Sequence, residues 1–422
     1  MFFWYAKKNE DSLTQTTYAP QVDLAVLLLK LDNKLNKKMI KYSFKLLFIF
    51  LLFTACKVTK IEASNAEKII ALSERSQKVR DYVKKDIVIA HRGTTYWAPE
   101  ETQPAFLWAR NIGADYLEFD IQQTKDGKLV AFHDKDLIRT TNVEAIFPER
   151  AKSPINDFTL EELRSLDAGS WFNKANPTRA RESFNSLVIM TLKDVVMIAE
   201  GKKIATKNGN PIKEIIEGKW TGQYRHENDP NDNGHRPGIY IETKYPTPNV
   251  EKLLADELTD LGWNINKSPK IIQTNPGKVG VANTNARVIL QTFSLKSNVL
   301  IEKHMPNIPK CLLLWQPKMA DDISGNMKKA IEFCIENNVH FMGTSIAGAP
   351  NNYEELTSPK LAKMIHDAGM LVHPYTFDTV EQLNEYKDRI EGVFTNRADL
   401  ALEFYNNKRD TSPQEVLNNL EF

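Results

Sequence analysis

Residues 113–134 read GADYLEFDIQQTKDGKLVAFHD. Tyr116–Asp120 is a short apolar run of strand type, and it carries Glu118 and Asp120 two residues apart. On a strand that spacing puts both carboxylates on one face. The strand runs on to Thr124, and Lys125-Asp126-Gly127 then makes a tight Asp-Gly turn. Leu129–His133 is therefore expected to return as the second arm of an antiparallel hairpin. Outward from this stretch, similar runs recur at Ile87–Ala90, Ile239–Thr243, Val288–Phe293, Cys311–Trp315, His340–Gly343, Leu371–Tyr375 and Gly392–Thr395. Helical patterns at 102–112, 249–262, 295–304, 325–338, 358–369 and 379–388 separate most of them. With Tyr116–Asp120 the runs number eight, and strands alternating with crossover helices predict a (β/α)8 barrel rather than an open sheet. The hairpin strand stands outside that count and returns His133 to the neighbourhood of Asp120.

The chain has 422 residues, enough for one large barrel with insertions or for two ordinary domains. Apolar residues at 42% and charged residues at 26% are those of a folded globular protein. A net charge of +1 gives no basic field for nucleic acid and no acidic excess for disorder. Cys56, Cys311 and Cys334 are too few and too scattered for a disulfide scaffold, and the last two are expected as buried thiols. The barrel is expected over 86–405, with an insertion at about 135–238 after the hairpin and a tail at 406–422. Within the insertion, 159–166 and 191–200 carry helical signals. Arg225–Pro237 is rich in turn formers, so His226 and His235 are expected in a solvated loop rather than on a metal.

Reactive side chains gather at the ends of the expected strands. His91, Arg92 and Gly93 close the first, Glu118 and Asp120 the second, and Glu242 and Lys244 the third, while His133 and Asp134 close the hairpin. Three acids from adjacent strands can hold a hard divalent cation through oxygen ligands. Arg92 and Lys244 are available to an anionic substrate, and histidine titrates near neutrality, where it can give or take a proton. These parts suit cleavage of a phosphodiester, where negative charge grows on the phosphoryl group.

The residues around them carry a resemblance. Ile89–Gly93, Pro99-Glu100, Thr102, Gly113–Asp120, Thr124–Gly127, His133-Asp134, Asp157–Glu162, Gly238–Lys244, Leu290–Phe293 and Tyr375-Thr376 together resemble the glycerophosphodiester phosphodiesterase family over roughly 87–400. Phe147–Arg150 and the long insertion look closer to its periplasmic, Ca²⁺-using bacterial branch. The resemblance implies a TIM barrel, His91 and His133 as the acid–base pair, and Glu118, Asp120 and Glu242 as metal ligands. It also implies Arg92 and Lys244 as phosphate contacts, Ca²⁺ as the expected ion with Mg²⁺ as the alternative, and a small glycerophosphodiester as substrate. The products would be sn-glycerol 3-phosphate and an alcohol, through a cyclic phosphate or by direct attack of water. Two positions depart from the family pattern. Thr395-Asn396-Arg397-Ala398 stands where Thr-Asp-x-Pro is usual, and Tyr375 where Trp is frequent.

The N-terminal part carries an address. Leu46–Phe53 (LLFIFLLF) follows Lys41 and Lys45 and precedes Thr54-Ala55-Cys56. At about eight residues it is too short to span a bilayer as a helix, which takes about 20. A basic start, a short apolar run and small residues describe a secretory signal. The Cys after the small pair resembles a bacterial lipoprotein signal over 39–56, with Cys56 lipidated and Met39 as the start. Residues 1–38 then form an untranslated leader and 57–85 a polar, helical lead-in. This implies an exported protein, periplasmic or in the outer membrane, held to the membrane by its lipid.

Two other functions fit parts of the sequence. A lysophospholipase D-like enzyme would need an apolar groove, for which Trp97, Trp108, Trp171, Phe172 and Trp220 are candidates against simple core packing. A lipid-anchored binding protein without catalysis would be favoured by a missing histidine or acid, and none is missing.

Overall fold

The computed structural model describes residues 71–422, apart from 246–248, 275–280, 316–317, 349–352, 354 and 406–410. The leader, the signal segment with Cys56 and the first half of the lead-in lie outside the described residues. The second half does not: Glu74–Lys78 is helical, and Leu72 is buried with its N–H bonded to Ala368 O at 3.0 Å. No helix among the described residues is long and apolar enough to cross a membrane.

Nine strands form the main sheet: β1 (Ile87–Ala90), β2 (Tyr116–Gln123), β3 (Leu129–Ala131), β4 (Gly238–Thr243), β5 (Val288–Thr292), β6 (Lys310–Leu314), β7 (Phe341–Thr344), β8 (Leu371–Val372) and β9 (Gly392–Thr395). Eight are parallel, in neighbour order β8-β7-β6-β5-β4-β2-β1-β9. Only β3 departs, pairing antiparallel with β2 as the Asp-Gly turn predicts. The ring is completed between β8 and β9 by backbone hydrogen bonds: Glu391 N to Val372 O at 3.0 Å, Phe394 N to Pro374 O at 3.1 Å and Phe377 N to Phe394 O at 2.8 Å. The parallel strands are buried on both faces, which is why they read as continuous apolar runs.

Alternation sorts their side chains. One set, including Ile89, Tyr116, Tyr240, Ile289, Cys311, Phe341 and Phe394, packs together inside the barrel. The other set, including Val88, Leu117, Ile239 and Leu290, packs outward under the helices. Those helices include Gln103–Ile112, Val250–Asp260, Leu295–His304, Ile323–Glu336, Pro359–Asp367 and Val380–Tyr386, each following its strand. The interior rows lead upward from Tyr116 to Glu118 and Asp120, and from Tyr240 to Glu242. Apolar filler thus gives way to acids at the C-terminal rim, the face where barrel enzymes keep their chemistry.

The insertion is more ordered than its sequence suggests. Leu160–Leu163 and Leu192–Ala199 are helices, each opened by a threonine capping box. Residues 202–228, with no strand expected, form three two-stranded antiparallel ribbons. His226 lies in one of these, bonded through Nε2 to buried Asp194 at 2.8 Å, and His235 bonds Ala114 O at 2.7 Å. Neither sits in a plain solvated loop: each satisfies a partner that folding takes out of water. Pro413–Asn419, expected within a tail, is a helix whose Val416 and Leu417 are buried; Trp108 Nε1 donates to Pro413 O at 3.0 Å.

Candidate active site

The first βα turn shapes the site. Arg92 sits at φ +53° and Gly93 at φ +77°. A Cβ at Gly93 would come within 2.8 Å of Ala105 C, so the turn requires glycine there. Holding Arg92 in the left-handed region is costly for a side chain of its size. The turn gains a bond from Arg92 N to Glu118 Oε2 at 2.8 Å and aims the guanidinium at the acids.

Register brings the acids together. Glu242 lies directly across the β2–β4 ladder from Asp120, and ligand oxygens of Glu118, Asp120 and Glu242 fall within 4.8 Å of one another. All three residues are buried. Glu118 is held at both oxygens, by Arg92 N and by Gln291 Nε2 at 2.8 Å. In contrast, neither oxygen of Asp120 nor Oε1 of Glu242 has a hydrogen-bond partner. Lys244 Nζ stands 3.3 Å from Glu242 and 3.6 Å from Asp120, and Arg92 Nε stands 3.6 Å from Asp120. Burial opposes the charge on Asp120, but Lys244, His133 and Arg92 hold its carboxyl well below the usual range. Burial, and next the Asp120 charge, push Glu242 up to about 8; the same two causes push Glu118 well above its ordinary value. Oxygen-only ligands, crowded like charges and orphaned buried oxygens fit a hard divalent cation.

The histidines flank this cluster with different partners. His133 Nδ1 is 2.6 Å from Asp134 Oδ1. Asp134 also accepts from Arg139 Nε at 2.5 Å, and Arg139 bonds Glu100, which bonds Arg92 Nη1 at 3.0 Å. One chain of charge-assisted bonds therefore ties His133 to Arg92. His91 Nδ1 is 2.7 Å from Asn396 Oδ1, a neutral acceptor. Burial, and next the Arg92 charge, press His91 down to about 3; burial also lowers His133.

His91, Arg92, Glu118, His133, Glu242 and Lys244 line one cavity of about 340 Å³, and Asp120 stands 3.6 Å from the Lys244 ammonium that lines it. Phe293, Leu313, Tyr375 and Phe394 form the wall. The structure thus brings together the seven strand-end residues expected as acid–base pair, metal ligands and phosphate contacts, while Cys56 lies outside the described residues. None of Trp97, Trp108, Trp171, Phe172 and Trp220 lines the cavity; Trp108 and Phe172 are core, and the other three pack against it. Cys311 and Cys334 are buried free thiols, as expected.

Sequence reasoning assigned no role to Glu100, Glu101, Asp134, Arg139, Gln291 or Asn396. Glu101, at φ +60°, accepts from Asp120 N at 3.0 Å and leaves Oε2 buried without a partner. Glu100, Asp134 and Gln291 fall within the stretches that carry the resemblance, and that signal could have found them. Arg139 had no signal, since its role depends on how the insertion folds.

Comparison with known proteins agrees with this geometry. The sequence model of the glycerophosphoryl diester phosphodiesterase family matches residues 91–235 and 236–400. A glycerophosphodiester phosphodiesterase of Bacillus subtilis (strain 168) is 29% identical over 317 residues, covering 74% of this chain and 84% of its own. One from Arabidopsis thaliana is 33% identical over 372 residues, covering 81% and 86%. A solved structure from Silicibacter pomeroyi DSS-3 assigned to the same family shares the fold, with a TM-score of 0.54 at 16% identity over 79% of this chain and 97% of that one. The chain belongs to the glycerophosphoryl diester phosphodiesterase family and is a phosphoric diester hydrolase.

Proposed function

We propose that the protein hydrolyses small glycerophosphodiesters to sn-glycerol 3-phosphate and an alcohol, using a divalent cation and the His91–His133 pair. The observation that carries this reading is the cavity, where two histidines, two basic side chains and two acids of the cluster, Glu118 and Glu242, face one volume. Arg92 and Lys244 bind the phosphoryl oxygens and hold the diester between the histidines. The apolar wall, Phe293 and Leu313 among it, takes the carbon parts of the substrate and excludes water. Glu118, Asp120 and Glu242 hold the cation, Ca²⁺ in our reading, which supplies charge stabilisation at the phosphoryl group when bound.

The histidine partners suggest the division of labour. His91, bonded to an amide, stays neutral and takes the proton from the attacking hydroxyl. His133, whose Nδ1 is bonded to the Asp134 carboxylate, is the histidine we assign to give the leaving alkoxide its proton. A substrate with a p-nitrophenolate leaving group tests this. It should restore much of the rate of His133→Ala and little of that of His91→Ala; the reverse pattern would exchange the roles.

We also propose that Cys56 is lipidated after cleavage of 39–55, anchoring the mature protein to the membrane in the periplasm or outer membrane. The basic start, the short apolar run and the small pair before Cys56 support this. Mass spectrometry of the mature N-terminus should find a lipidated Cys56, and an N-terminus upstream of Met39 would refute it.

A further inference from the structure

Asn396 is one of the positions where the chain departs from the family pattern, and it stands on the wall of the active-site cavity. Its side chain faces two ways. Oδ1 lies 2.7 Å from His91 Nδ1, and Nδ2 donates to Asp378 Oδ2 at 3.2 Å. Its backbone is fixed as well: Thr94 Oγ1 donates to Asn396 O at 2.9 Å, and His91 N donates to Thr395 O at 3.0 Å. The bridge between Phe377 and Thr395 brings Asp378 alongside.

These contacts form a relay. A carboxylate accepts only, so Asp378 turns the NH₂ end of Asn396 toward itself. The carbonyl end must then face His91. A carbonyl oxygen also accepts only, so the nitrogen opposite it must carry the proton. That leaves Nε2 of His91 with its lone pair free.

We propose that Asn396, oriented by Asp378, is a positioning residue that fixes His91 in the Nδ1–H tautomer and presents a bare Nε2 to the substrate. This rests on the reading of His91 as the base. Asn396 touches no reacting atom and acts through the imidazole. The charged and titratable groups facing His91 are Arg92 in its own turn, Asp120 from β2, His133 after the hairpin and, through Asn396, Asp378. An amide in direct contact adds no charge to that set, whereas a carboxylate would favour the imidazolium.

The test begins with the tautomer. In the full chain labelled with ¹⁵N-histidine, His91 is assigned by the signal lost in His91→Gln. Its Nδ1 should show the shift of a protonated ring nitrogen and its Nε2 that of a bare one. Asp378→Ala should mix the two tautomers and lower kcat about 10–100-fold, the range for partners that orient a working histidine, with KM little changed. The exchange Asn396→Asp with Asp378→Asn rebuilds the relay with donor and acceptor reversed. It should restore the Nδ1–H tautomer and move the acidic limb of the pH–rate profile upward, because an anion now faces His91. A purely structural pair would shift no limb. An Nε2–H tautomer in the wild-type protein needs no variant to observe and would overturn the inference. So would an Asp378→Ala protein with unchanged tautomer and kcat. Full activity of His91→Ala would instead overturn the function proposed above and leave the tautomer result standing.

Discussion

Among the clusters of buried charge in the described residues, two are built on opposite rules. In the insertion, Asp194 is wholly buried and fully partnered. It accepts from Thr191 N and Thr191 Oγ1, both at 2.8 Å, from Arg164 Nη2 at 2.5 Å and from His226 Nε2 at 2.8 Å. Arg164 also donates to Gly222 O and Ile189 O and lies over the Tyr224 ring. At the rim of the barrel, Asp120 is just as buried, yet its two oxygens have no hydrogen-bond partner. The first cluster is closed and holds the insertion together. The second is left open where the substrate cavity begins. A folded protein keeps buried polar groups satisfied, so an unsatisfied set marks a place for something else to bind.

Substitutions can break or sharpen this contrast. The largest effect on activity is expected in the open cluster. Glu242→Gln would remove one proposed oxygen ligand and one carboxylate, at a side chain whose Oε1 has no hydrogen-bond partner. Turnover should fall on the order of 10³-fold, as loss of several kcal/mol of charge stabilisation would give. The metal-free protein should keep or gain thermal stability, since a like charge has gone. A variant that loses stability and keeps activity would reverse the assignment.

His91→Ala and His133→Ala should each cost about 10²–10⁴-fold, with the fold and metal affinity near wild type. The double variant should be little worse than the worse single one, because the two residues act as a unit. Steady-state kinetics with calorimetric metal titration of each variant checks both statements.

In the closed cluster the expectation inverts. Asp194→Ala leaves Arg164 buried without its anion and should cost about 3–5 kcal/mol of stability. Activity per folded molecule should change far less. The same carboxyl gives a pH dependence of stability. Burial opposes its charge, but Arg164 and His226 hold its pKa well below the ordinary value. A depressed carboxyl contributes stability above its unfolded pKa of about 3.9, and that contribution is lost as pH falls below it. Denaturant titrations between pH 7 and 3 should therefore show a decline in the wild type that is shallower in Asp194→Asn. The smallest effect is expected at Trp220, which packs on the core away from the cavity. Trp220→Ala should change kcat/KM by less than about twofold, and a larger loss would return it to the list of substrate contacts.

The barrel was legible because parallel strands buried on both faces leave unbroken apolar runs. The acids were legible for the same reason, since period-two spacing on β2 and β4 fixes which side chains share the interior. The helix Leu295–His304 begins and ends where its pattern does. The ribbons between 202 and 228 were not legible, being short, polar and without alternation. Their order comes from contacts such as Arg164 to Gly222 and Gln103 to Ile204 N, which no local pattern announces. Asp134 was visible beside His133, but its link through Arg139 to Glu100 depends on where the insertion folds back. Asn396 stood out as a departure from a pattern, yet its meaning lay in a contact 305 residues away along the chain.

The proposed function requires the open cluster to be a metal site that the reaction needs. The direct test is to strip the full-length protein of metal, titrate Ca²⁺ calorimetrically, and follow hydrolysis of glycerophosphocholine in the same samples. One strong site per chain is expected, weakened in Glu118→Gln, Asp120→Asn and Glu242→Gln, with activity absent in the stripped protein and rising in step with occupancy. Mg²⁺ in place of Ca²⁺ would revise the ion and keep the site. Full hydrolysis by the stripped protein in excess chelator would contradict the account.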